Sequence, residues 1–371
     1  MSLEMIPAAR PIIGEDERVA VDRVLASGMV AQGPEVAAFE AEFAEHMVQG
    51  RECVAVNSGT SGLHLGLLAA GIGPGDEVIV PSFTFAATGN SVALTGATPV
   101  FADIEPDFFC LDPASVAAAV TERTKGIMPV HLYGHPANMP ALQEIADARD
   151  LMVFEDAAQA HGASLDGQRV GTFGTFGMFS LYPTKNMTSG EGGMVSCTTG
   201  EIARRVRLLR NQGMERQYAN ELVGLNNRMT DIHAAIGRVQ LTKVDAWTQR
   251  RQDNAAFLDA NLEGVTTPPV ADGAVHVYHQ YTIRIPGAAG AERDRIVTAL
   301  REEHQVGSGV YYPIPNHRLD SLKGYAPGLD LPETERAAAE VISLPVHPSL
   351  TQEHLERIVA AVNTVVVKAG A

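Results

Sequence analysis

The sequence predicts an α/β protein with a mostly parallel sheet, followed by a smaller α+β domain. Along Glu52–Val195, short apolar runs alternate with longer segments of helical periodicity, which is typical of parallel strands joined by helices. The chain has 371 residues, and one hydrophobic core stops growing at roughly 250–300 residues. A composition break at Pro268–Pro269 precedes shorter elements. We therefore predict a large domain over residues 1–247 and a small domain over residues 248–371, with the N-terminal segment packing on the small domain.

Five apolar segments of the first part are predicted to be buried strands, and the four segments between them are predicted to be helices. The strands are Cys53–Val56, Glu77–Val80, Val100–Asp103, Gly126–His131 and Met152–Glu155. The helices are Leu63–Ala70, Ala86–Leu94, Pro113–Val120 and Met139–Arg149. No helix separates the next two apolar segments, so we expect an antiparallel pair on one side of the sheet from Thr175–Leu181 and Gly193–Cys197.

The second part begins after a long helical pattern. Thr230 suits the N-cap of a helix that continues past Trp247 toward Leu262. Beyond the prolines the predicted elements are short. They are a strand at His279–Ile285, a helix at Arg293–Glu303, a strand-like segment at Gly309–Tyr312 and a final helix at Glu353–Val367.

Charge and composition exclude several classes of function. The chain has 44 acidic and 28 basic residues and a net charge of −16, which disfavours general nucleic-acid binding. Cys53, Cys110 and Cys197 are far apart and favour reduced core thiols over disulfides or a metal site. No apolar stretch approaches the ~20 residues that span a bilayer. The first residues lack the features of a signal peptide and resemble a cloning remnant ahead of Met5. We expect a cytoplasmic protein without a membrane partner.

Lys185 lies in the segment Phe179–Val195, after a proline and before a glycine-flanked turn. Two interpretations are open. A lysine held between buried strands has a lowered pKa and can form a Schiff base with a carbonyl compound. A lysine on the surface of a turn would be one of 28 basic residues without a particular role. The segments described next favour the first interpretation.

The segment Val54–Leu63 predicts a strand, a glycine turn and the start of an apolar helix. Backbone N–H groups and the helix dipole at such a junction favour an anion such as phosphate. Gly59 allows close approach of the backbone, and Thr60 adds a hydroxyl donor. The alternative is a capped helix in which these residues serve the turn alone. Two other glycine-rich segments, Gly71–Gly75 and Gly171–Gly177, lack the position and spacing of a dinucleotide-binding motif.

Asp156 follows the predicted strand Met152–Glu155, at the end of the sheet where open α/β folds bind ligands. A carboxylate there would pair with a cationic ring nitrogen and keep that nitrogen protonated. The alternative is that Asp156 caps the next helix. Phe85 follows the predicted strand Glu77–Val80 and is open to two interpretations as well. It is either a ring that stacks on a planar ligand or a core residue.

Together these segments resemble the DegT/DnrJ/StrS family of sugar aminotransferases, which use pyridoxal 5′-phosphate (PLP). The resemblance covers nearly the whole chain and keeps the family's order and spacing. The matching segments are Pro11–Glu15, Asn57–Gly62, Pro74–Phe85, Glu155–Gly162, Phe179–Asn186, Gly190–Gly193, Gly224–Asp231 and Ser343–Pro345. The resemblance implies the type I fold of the aspartate-aminotransferase superfamily, with a mostly parallel seven-stranded sheet in the large domain.

The resemblance also implies site residues. Lys185 would carry the cofactor in a Schiff base, and Asp156 would face its pyridine nitrogen; these two are the implied catalytic residues. The implied cofactor-binding residues are Gly59, Thr60, Phe85, Asp156, Gln159, Ser180, Lys185 and Asn226. The implied substrate contacts are Arg228, Tyr311 and His317, although family members commonly carry a histidine where this chain has Tyr311. In this family a second subunit completes each site, and the segment around Asn226 and Arg228 resembles the contributed part.

The activity implied by the resemblance is amino transfer from L-glutamate to the keto carbon of a nucleotide-linked sugar, a 4-keto-6-deoxy hexose by family frequency. Such products serve cell-surface polysaccharides or antibiotic sugars, and the enzymes are homodimers. Related sugar dehydratases carry a histidine in place of the lysine, so Lys185 favours amino transfer. Two alternatives stay open. One is the same chemistry on a cyclitol or aromatic precursor, and the other is a non-catalytic regulatory protein with this fold.

Overall fold

The computed structural model describes residues 4–288 and 290–369, and these form twelve α-helices and fourteen β-strands. Residues 1–3, which belong to the suspected cloning remnant, lie outside the described residues. The helices are α1 Glu15–Ser27, α2 Pro34–Met47, α3 Gly59–Ala69, α4 Ala87–Leu94, α5 Pro113–Ala119, α6 Met139–Arg149, α7 Gly200–Arg210, α8 Asp231–Leu241, α9 Val244–Asn261, α10 Gly290–Glu302, α11 Pro332–Glu340 and α12 Gln352–Ala369. The strands are β1 Glu52–Val56, β2 Glu77–Pro81, β3 Thr98–Ala102, β4 Thr124–Ile127, β5 Met152–Asp156, β6 Ser164–Leu165, β7 Gln168–Arg169, β8 Phe176–Ser180, β9 Gly193–Cys197, β10 Met214–Arg216, β11 Ala219–Asn220, β12 Ala274–Val275, β13 Tyr281–Arg284 and β14 Val341–Leu344.

A seven-stranded sheet forms the centre of the molecule, with strand order β1-β9-β8-β5-β4-β2-β3. Strand β9 runs antiparallel to both of its neighbours, and the remaining pairs are parallel. The predicted mostly parallel sheet is therefore confirmed, and so is the antiparallel pairing of the segments that became β8 and β9. The reversed strand lies one position inside the edge strand β1.

Helices cover both faces of this sheet, as the packing of alternate side chains along β1 shows. Val54 and Val56 pack in a core with residues of α3 and α7. Cys53 and Ala55 pack in a separate core with residues of α2 and α8. Successive side chains of a strand point to opposite faces, so burial of every residue from Cys53 to Val56 requires a packed layer on each side.

Three sequence predictions are corrected by the structure. The predicted strand Gly126–His131 is regular only to Ile127 in β4; Pro129 cannot donate a ladder hydrogen bond, and pairing resumes as a single bridge between Val130 and Asp156. The predicted long helix after Thr230 is two helices, α8 and α9, with a break at Thr242–Lys243, where the Thr242 hydroxyl donates to the carbonyl of Val239. The predicted strand Gly309–Tyr312 is reduced to one bridge between Gly309 and Ser343. Tyr312 has a φ of 64°, which no strand residue adopts.

A further hydrophobic core, apart from the two on the faces of the large sheet, lies around the β13–β14 pair and helices α9, α10 and α12. The N-terminal segment joins it, since Ile6 is fully buried there and forms a bridge with Val306. The predicted domain boundary between residues 247 and 248 falls within α9 and stays a prediction. Among the described helices, none combines the length and the apolar composition that a membrane crossing requires.

Candidate active site

A cavity of about 530 Å³ lies at the carboxyl ends of the parallel strands. The end of β5, the end of β8, the loop after β2 and the start of α3 all contribute to its wall. Eight of the predicted site residues line this cavity: Gly59, Thr60, Phe85, Asp156, Gln159, Ser180, Lys185 and Tyr311. They are separated by up to about 250 positions in sequence, and the sheet brings them to one edge.

Asp156 is the last residue of β5 and is 5% exposed. Its Oδ2 accepts a hydrogen bond from the Thr88 hydroxyl at 2.8 Å, and its Oδ1 accepts one from the backbone N–H of Ala158 at 3.2 Å. Burial raises the pKa of the Asp156 carboxyl, while these two hydrogen bonds and the charge of Lys185 act in the opposite direction. The local N–H contact belongs to a turn and not to a helix cap, because no described helix begins there.

Lys185 lies in the wall of the same cavity and is partly buried. Its backbone N–H donates to the carbonyl of Tyr182, and the side chain of the next residue, Asn186, donates to the carbonyl of Val277 at 2.9 Å. Burial lowers the pKa of the Lys185 amine to about 8, and Asp156 opposes that shift. Lys185 is therefore a partly buried residue of the cavity wall, which favours the first of the two interpretations.

The start of helix α3 forms one end of the cavity. Ser58 is the N-cap, and its hydroxyl accepts the backbone N–H of Ser61 at 3.1 Å. Gly59 and Thr60 follow and line the cavity, so the turn contains both a capped helix and backbone N–H groups that are suited to an anion. A Cβ at Gly59 would lie 3.0 Å from the Cβ of Ser180, and the glycine thus allows close approach of α3 to β8.

Gln159 and Phe85 are two further predicted residues that lie in the cavity wall. The Gln159 carboxamide contacts the backbone of Tyr133 and the hydroxyl of Tyr312. The side chain of Phe85 is 62% exposed although it lines the cavity, so the interpretation of Phe85 as a core residue is wrong. An exposed aromatic face at a cavity wall is suited to stacking on a planar ligand.

Three predicted residues do not line the cavity in the single chain. His317 is buried, with Nδ1 2.6 Å from the hydroxyl of Ser82 and Nε2 3.2 Å from Glu335. Arg228 donates to Oδ1 of Asn211 at 2.7 Å, and Asn226 is exposed. Asn226 is therefore a surface residue, whereas Arg228 is partly buried.

Three residues that contact or line the site were not predicted: Thr88, Tyr312 and His279. Thr88 lies three residues after Phe85 and in the first turn of α4, so a search for polar residues behind the ligand-facing strand ends would have found it. The buried His279 imidazole has a pKa well below its usual value, because burial and the nearby Lys185 charge both disfavour protonation.

The fold and the site define the class of protein. It has the type I fold of PLP-dependent transferases, with a lysine and a buried carboxylate in one cavity at the strand ends. The chain belongs to the DegT/DnrJ/EryC1/StrS aminotransferase family, which matches residues 11–363.

Two relatives and one solved structure support the assignment to this family. The chain is 41% identical to the dTDP-3-amino-3,4,6-trideoxy-alpha-D-glucose transaminase of Streptomyces venezuelae, across 96% of this chain and 94% of that protein. It is 42% identical to the pleiotropic regulatory protein of Geobacillus stearothermophilus, across 91% of each chain. The crystal structure of S. venezuelae DesV in complex with a ketimine intermediate superimposes with a TM-score of 0.91 at 40% identity, and covers 97% of this chain and 99% of that one.

Proposed function

We propose that this chain is a PLP-dependent aminotransferase that moves an amino group from L-glutamate to the keto carbon of a nucleotide-linked sugar. The observation that carries the proposal is the pairing, in one cavity, of a lysine with a lowered pKa and a buried carboxylate. Perturbed groups of this kind in a cleft are typical of catalytic sites. A relative that shares 41% of its residues is named as a transaminase of a dTDP-linked sugar.

The residues present fit PLP. The start of α3 offers backbone N–H groups for the phosphate, and the absence of a Cβ at Gly59 lets this turn pack closely against Ser180. Asp156 suits the pyridine nitrogen, and Phe85 has an exposed ring for stacking. We propose that Lys185 bonds to the cofactor aldehyde and that Ser180 and Thr60 assist with the phosphate.

When bound, PLP supplies an electron sink that stabilises negative charge on a substrate carbon. Asp156 holds a proton on the pyridine nitrogen, because an ionised carboxylate favours the protonated ring. Once the amino donor has displaced Lys185 from the cofactor aldehyde, the freed amine, whose pKa burial lowers to about 8, would be neutral in part and would remove the proton from the α-carbon of the donor. The same amine would return that proton at the cofactor C4′ carbon, and in the second half of the reaction it would move protons between the same two positions in the reverse order.

The sugar and its nucleotide are proposed from family relationships. We propose a 4-keto-6-deoxy hexose on a nucleotide, in a pathway to cell-surface polysaccharide or an antibiotic sugar. Tyr311 and Gln280 line the cavity and offer polar contacts for the hydroxyls of a sugar. Arg228 and His317 are proposed to contribute once a second subunit and the substrate are present. We propose a homodimer in which Asn226 and Arg228 enter the partner's site; the cytoplasmic location stays a prediction.

Absorbance and trapping test the chemistry. The purified protein with PLP is expected to show a visible band, and borohydride is expected to fix the cofactor on Lys185, as peptide mapping would reveal. Addition of L-glutamate should convert the bound cofactor to its amine form. An unchanged visible band in Lys185→Ala, or no response to any amino donor, would overturn the assignment and favour the regulatory alternative.

A panel of keto acceptors tests the substrate. With L-glutamate as the donor, formation of 2-oxoglutarate is expected with nucleotide-linked ketosugars. Turnover of cyclitol ketones or aromatic precursors in place of every nucleotide sugar would leave the aminotransferase assignment intact and reject the proposed acceptor.

A further inference from the structure

Hydrogen bonds fix the orientation of the Gln159 carboxamide in the cavity wall. The backbone N–H of Tyr133 lies 2.8 Å from Oε1 of Gln159, and Nε2 of Gln159 lies 2.7 Å from the hydroxyl of Tyr312. A backbone N–H can only donate, so the atom that faces Tyr133 must be the carboxamide oxygen. The nitrogen therefore faces Tyr312 and donates to its hydroxyl.

This orientation determines what Gln159 presents to a ligand. An amide nitrogen carries two N–H groups, and the Tyr312 hydroxyl accepts one of them. The other N–H can donate to an acceptor in the cavity that Gln159 lines. Rotation of the carboxamide by half a turn would place its NH2 group against the N–H of Tyr133, where neither group can accept, although its oxygen could still accept from the Tyr312 hydroxyl. Gln159 is thus held as a donor and cannot present its oxygen to the ligand.

Both residues that hold Gln159 have strained backbones. Tyr133 has a φ of 58° and Tyr312 a φ of 64°, which bulky side chains rarely adopt. Their rings stack with centroids 6.3 Å apart and planes 15° apart. Such strain persists where the surrounding structure requires it, and it clusters at functional sites. Here the two strained residues supply the two contacts of one cavity-lining side chain.

The two contacts come from distant parts of the chain. Tyr133 follows β4, and Tyr312 lies 153 positions from Gln159 in the segment that begins at Gly309. Gly309 is fixed by a pair of backbone hydrogen bonds to Ser343 in β14, and the N–H of Gln280 donates to the carbonyl of Tyr133 at 3.2 Å. The position of the Tyr312 hydroxyl therefore depends on the core around β13 and β14 as well as on the large sheet.

We propose that Tyr312 is a positioning residue that, together with the backbone of Tyr133, holds Gln159 as a hydrogen-bond donor to the ring oxygen of bound PLP. The inference rests on the proposed function, because the acceptor belongs to the cofactor. In PLP bound through Lys185, the ring oxygen would share a proton with the nitrogen of that linkage. A donor on that oxygen weakens its hold on the proton, so the visible band titrates at a lower pH than it would without Gln159.

A double-mutant cycle on the PLP-loaded protein tests this role. The variants are Tyr312→Phe, Gln159→Leu and the double variant, and the measurement is the pH midpoint of the visible band. Each single variant is expected to raise the midpoint by about 0.5–1 pH unit, and the double variant is expected to match Gln159→Leu. A Tyr312→Phe midpoint equal to that of the wild type, or additive shifts in the double variant, would overturn the proposal.

Tyr133→Phe is the matched control. It removes a buried tyrosine hydroxyl from the ring that stacks on Tyr312 and leaves the backbone N–H that Gln159 uses. Its midpoint is expected to equal that of the wild type. A shift as large as that of Tyr312→Phe would mean that ring packing, and not the contact with Gln159, sets the midpoint, and this would overturn the proposal.

The same variants without cofactor separate this inference from the proposed function. In urea unfolding of the apoproteins, the losses of Tyr312→Phe and Gln159→Leu are expected to be non-additive, because both variants break one hydrogen bond. Additive losses in the free energy of unfolding would reject the proposal that Tyr312 positions Gln159, whether or not PLP binds. Absence of a visible band in the wild type would instead reject the proposed function. The unfolding cycle would still show whether Tyr312 positions Gln159. Gln159→Ala replaces the leucine variant if the latter does not fold.

Discussion

Thr88 donates a hydrogen bond from its hydroxyl to Oδ2 of Asp156 at 2.8 Å, and both groups are buried. The contact ties the first turn of α4 to the end of β5. Burial alone raises the pKa of the Asp156 carboxyl, and the bond from Thr88 is the largest of the influences that lower it. Thr88 therefore helps to keep Asp156 ionised in the state that would pair with a protonated pyridine nitrogen.

Thr88→Val is predicted to weaken the binding of PLP. A hydrogen bond to a charged group contributes about 1.5–3 kcal/mol, but this one is present before PLP binds, so only part of that free energy adds to affinity and we expect a loss of roughly threefold to tenfold. Titration of the apoprotein with PLP, followed by absorbance, measures the change. Thr88→Ser keeps the hydroxyl and is expected to recover most of the affinity.

Thr95→Val is the matched control for that loss. Thr95 is a buried threonine at the other end of α4, and its hydroxyl donates to the carbonyl of Val92. The control removes a buried hydroxyl near the same helix without a contact to Asp156. Equal affinities in Thr88→Val and Thr95→Val would show that the contact between Thr88 and Asp156 does not support cofactor binding.

Replacement of Lys185 by methionine is predicted to stabilise the apoprotein at neutral pH. Burial lowers the pKa of Lys185 from 10.5 to about 8, so below pH 8 the folded state holds a charge in a site that disfavours it. Between pH 8 and 10.5 the unfolded chain binds more protons than the folded protein, and the free energy of unfolding of the wild type rises with pH. The penalty is complete below pH 8 and absent above 10.5.

The size of this effect is limited by the position of Lys185 in the cavity wall, where solvent screens part of the charge. We expect Lys185→Met to be more stable than the wild-type apoprotein by about 1–3 kcal/mol at pH 7. Urea unfolding at pH 7 and at pH 10.5 measures the difference, which should fade at the higher pH. A difference that is the same at both values would mean that packing, and not charge, is responsible.

Much of the sheet was predictable because its signal is local. All five predicted strands from Cys53 to Glu155 are strands, since apolar runs buried on both faces differ clearly from the helical periodicity between them. The predictions failed where a single residue changes the local backbone. Pro129 interrupts the ladder that follows β4, and the positive φ of Tyr312 prevents a strand after Gly309. Neither effect alters the hydrophobic pattern on which the prediction depends.

The site was predictable to the extent that its residues follow strands. Asp156 and Ser180 end β5 and β8, and such positions meet at one edge of a parallel sheet. Thr88 and Tyr312 act through contacts between segments 68 and 153 positions apart. Such contacts depend on how helices and loops pack on the sheet, and a single sequence contains no pattern for them.

Asp231 illustrates a long-range contact with a measurable role in stability. It is the first residue of α8, yet its carboxylate accepts the backbone N–H groups of Gly33, Glu35 and Val36 at 2.7, 3.2 and 3.0 Å. It therefore caps the start of α2, where the helix dipole favours negative charge. Gly33 is the N-cap residue of α2 and has no side chain to fill this role.

Asp231→Ala is predicted to destabilise the protein by about 2–3 kcal/mol, because it leaves one buried and two partly buried N–H groups without this acceptor. Urea unfolding measures the loss. Asp112 caps α5 through the N–H groups of Ala114 and Ser115 in its own segment, so Asp112→Ala is a control for a local cap and should cost about 1 kcal/mol. A smaller loss for Asp231→Ala than for Asp112→Ala would contradict the proposed capping of α2.

Mixed subunits test the proposed sharing of active sites between two copies of the chain. Lys185→Ala and the double variant Asn226→Ala/Arg228→Ala are each expected to have little activity as homodimers. If Asn226 and Arg228 serve the partner's cavity, a heterodimer contains one intact site, formed by the lysine of one subunit and the loop of the other. Random reassociation of equal amounts should then restore about a quarter of wild-type activity.

The position of Asn226 in the single chain motivates this test, since it is exposed and lies outside the cavity that contains Lys185. In the same loop Val223 is 94% exposed and Tyr218 is 87% exposed, a degree of apolar exposure that favours contact with another protein surface. If the loop instead serves the cavity of its own chain, both sites of the heterodimer are defective and mixing restores nothing. Each variant diluted and reassociated alone gives the baseline, and light scattering of the mixture establishes that dimers are present. A dimeric mixture that stays at the baseline would reject the shared site and leave the assignment of Lys185 unaffected.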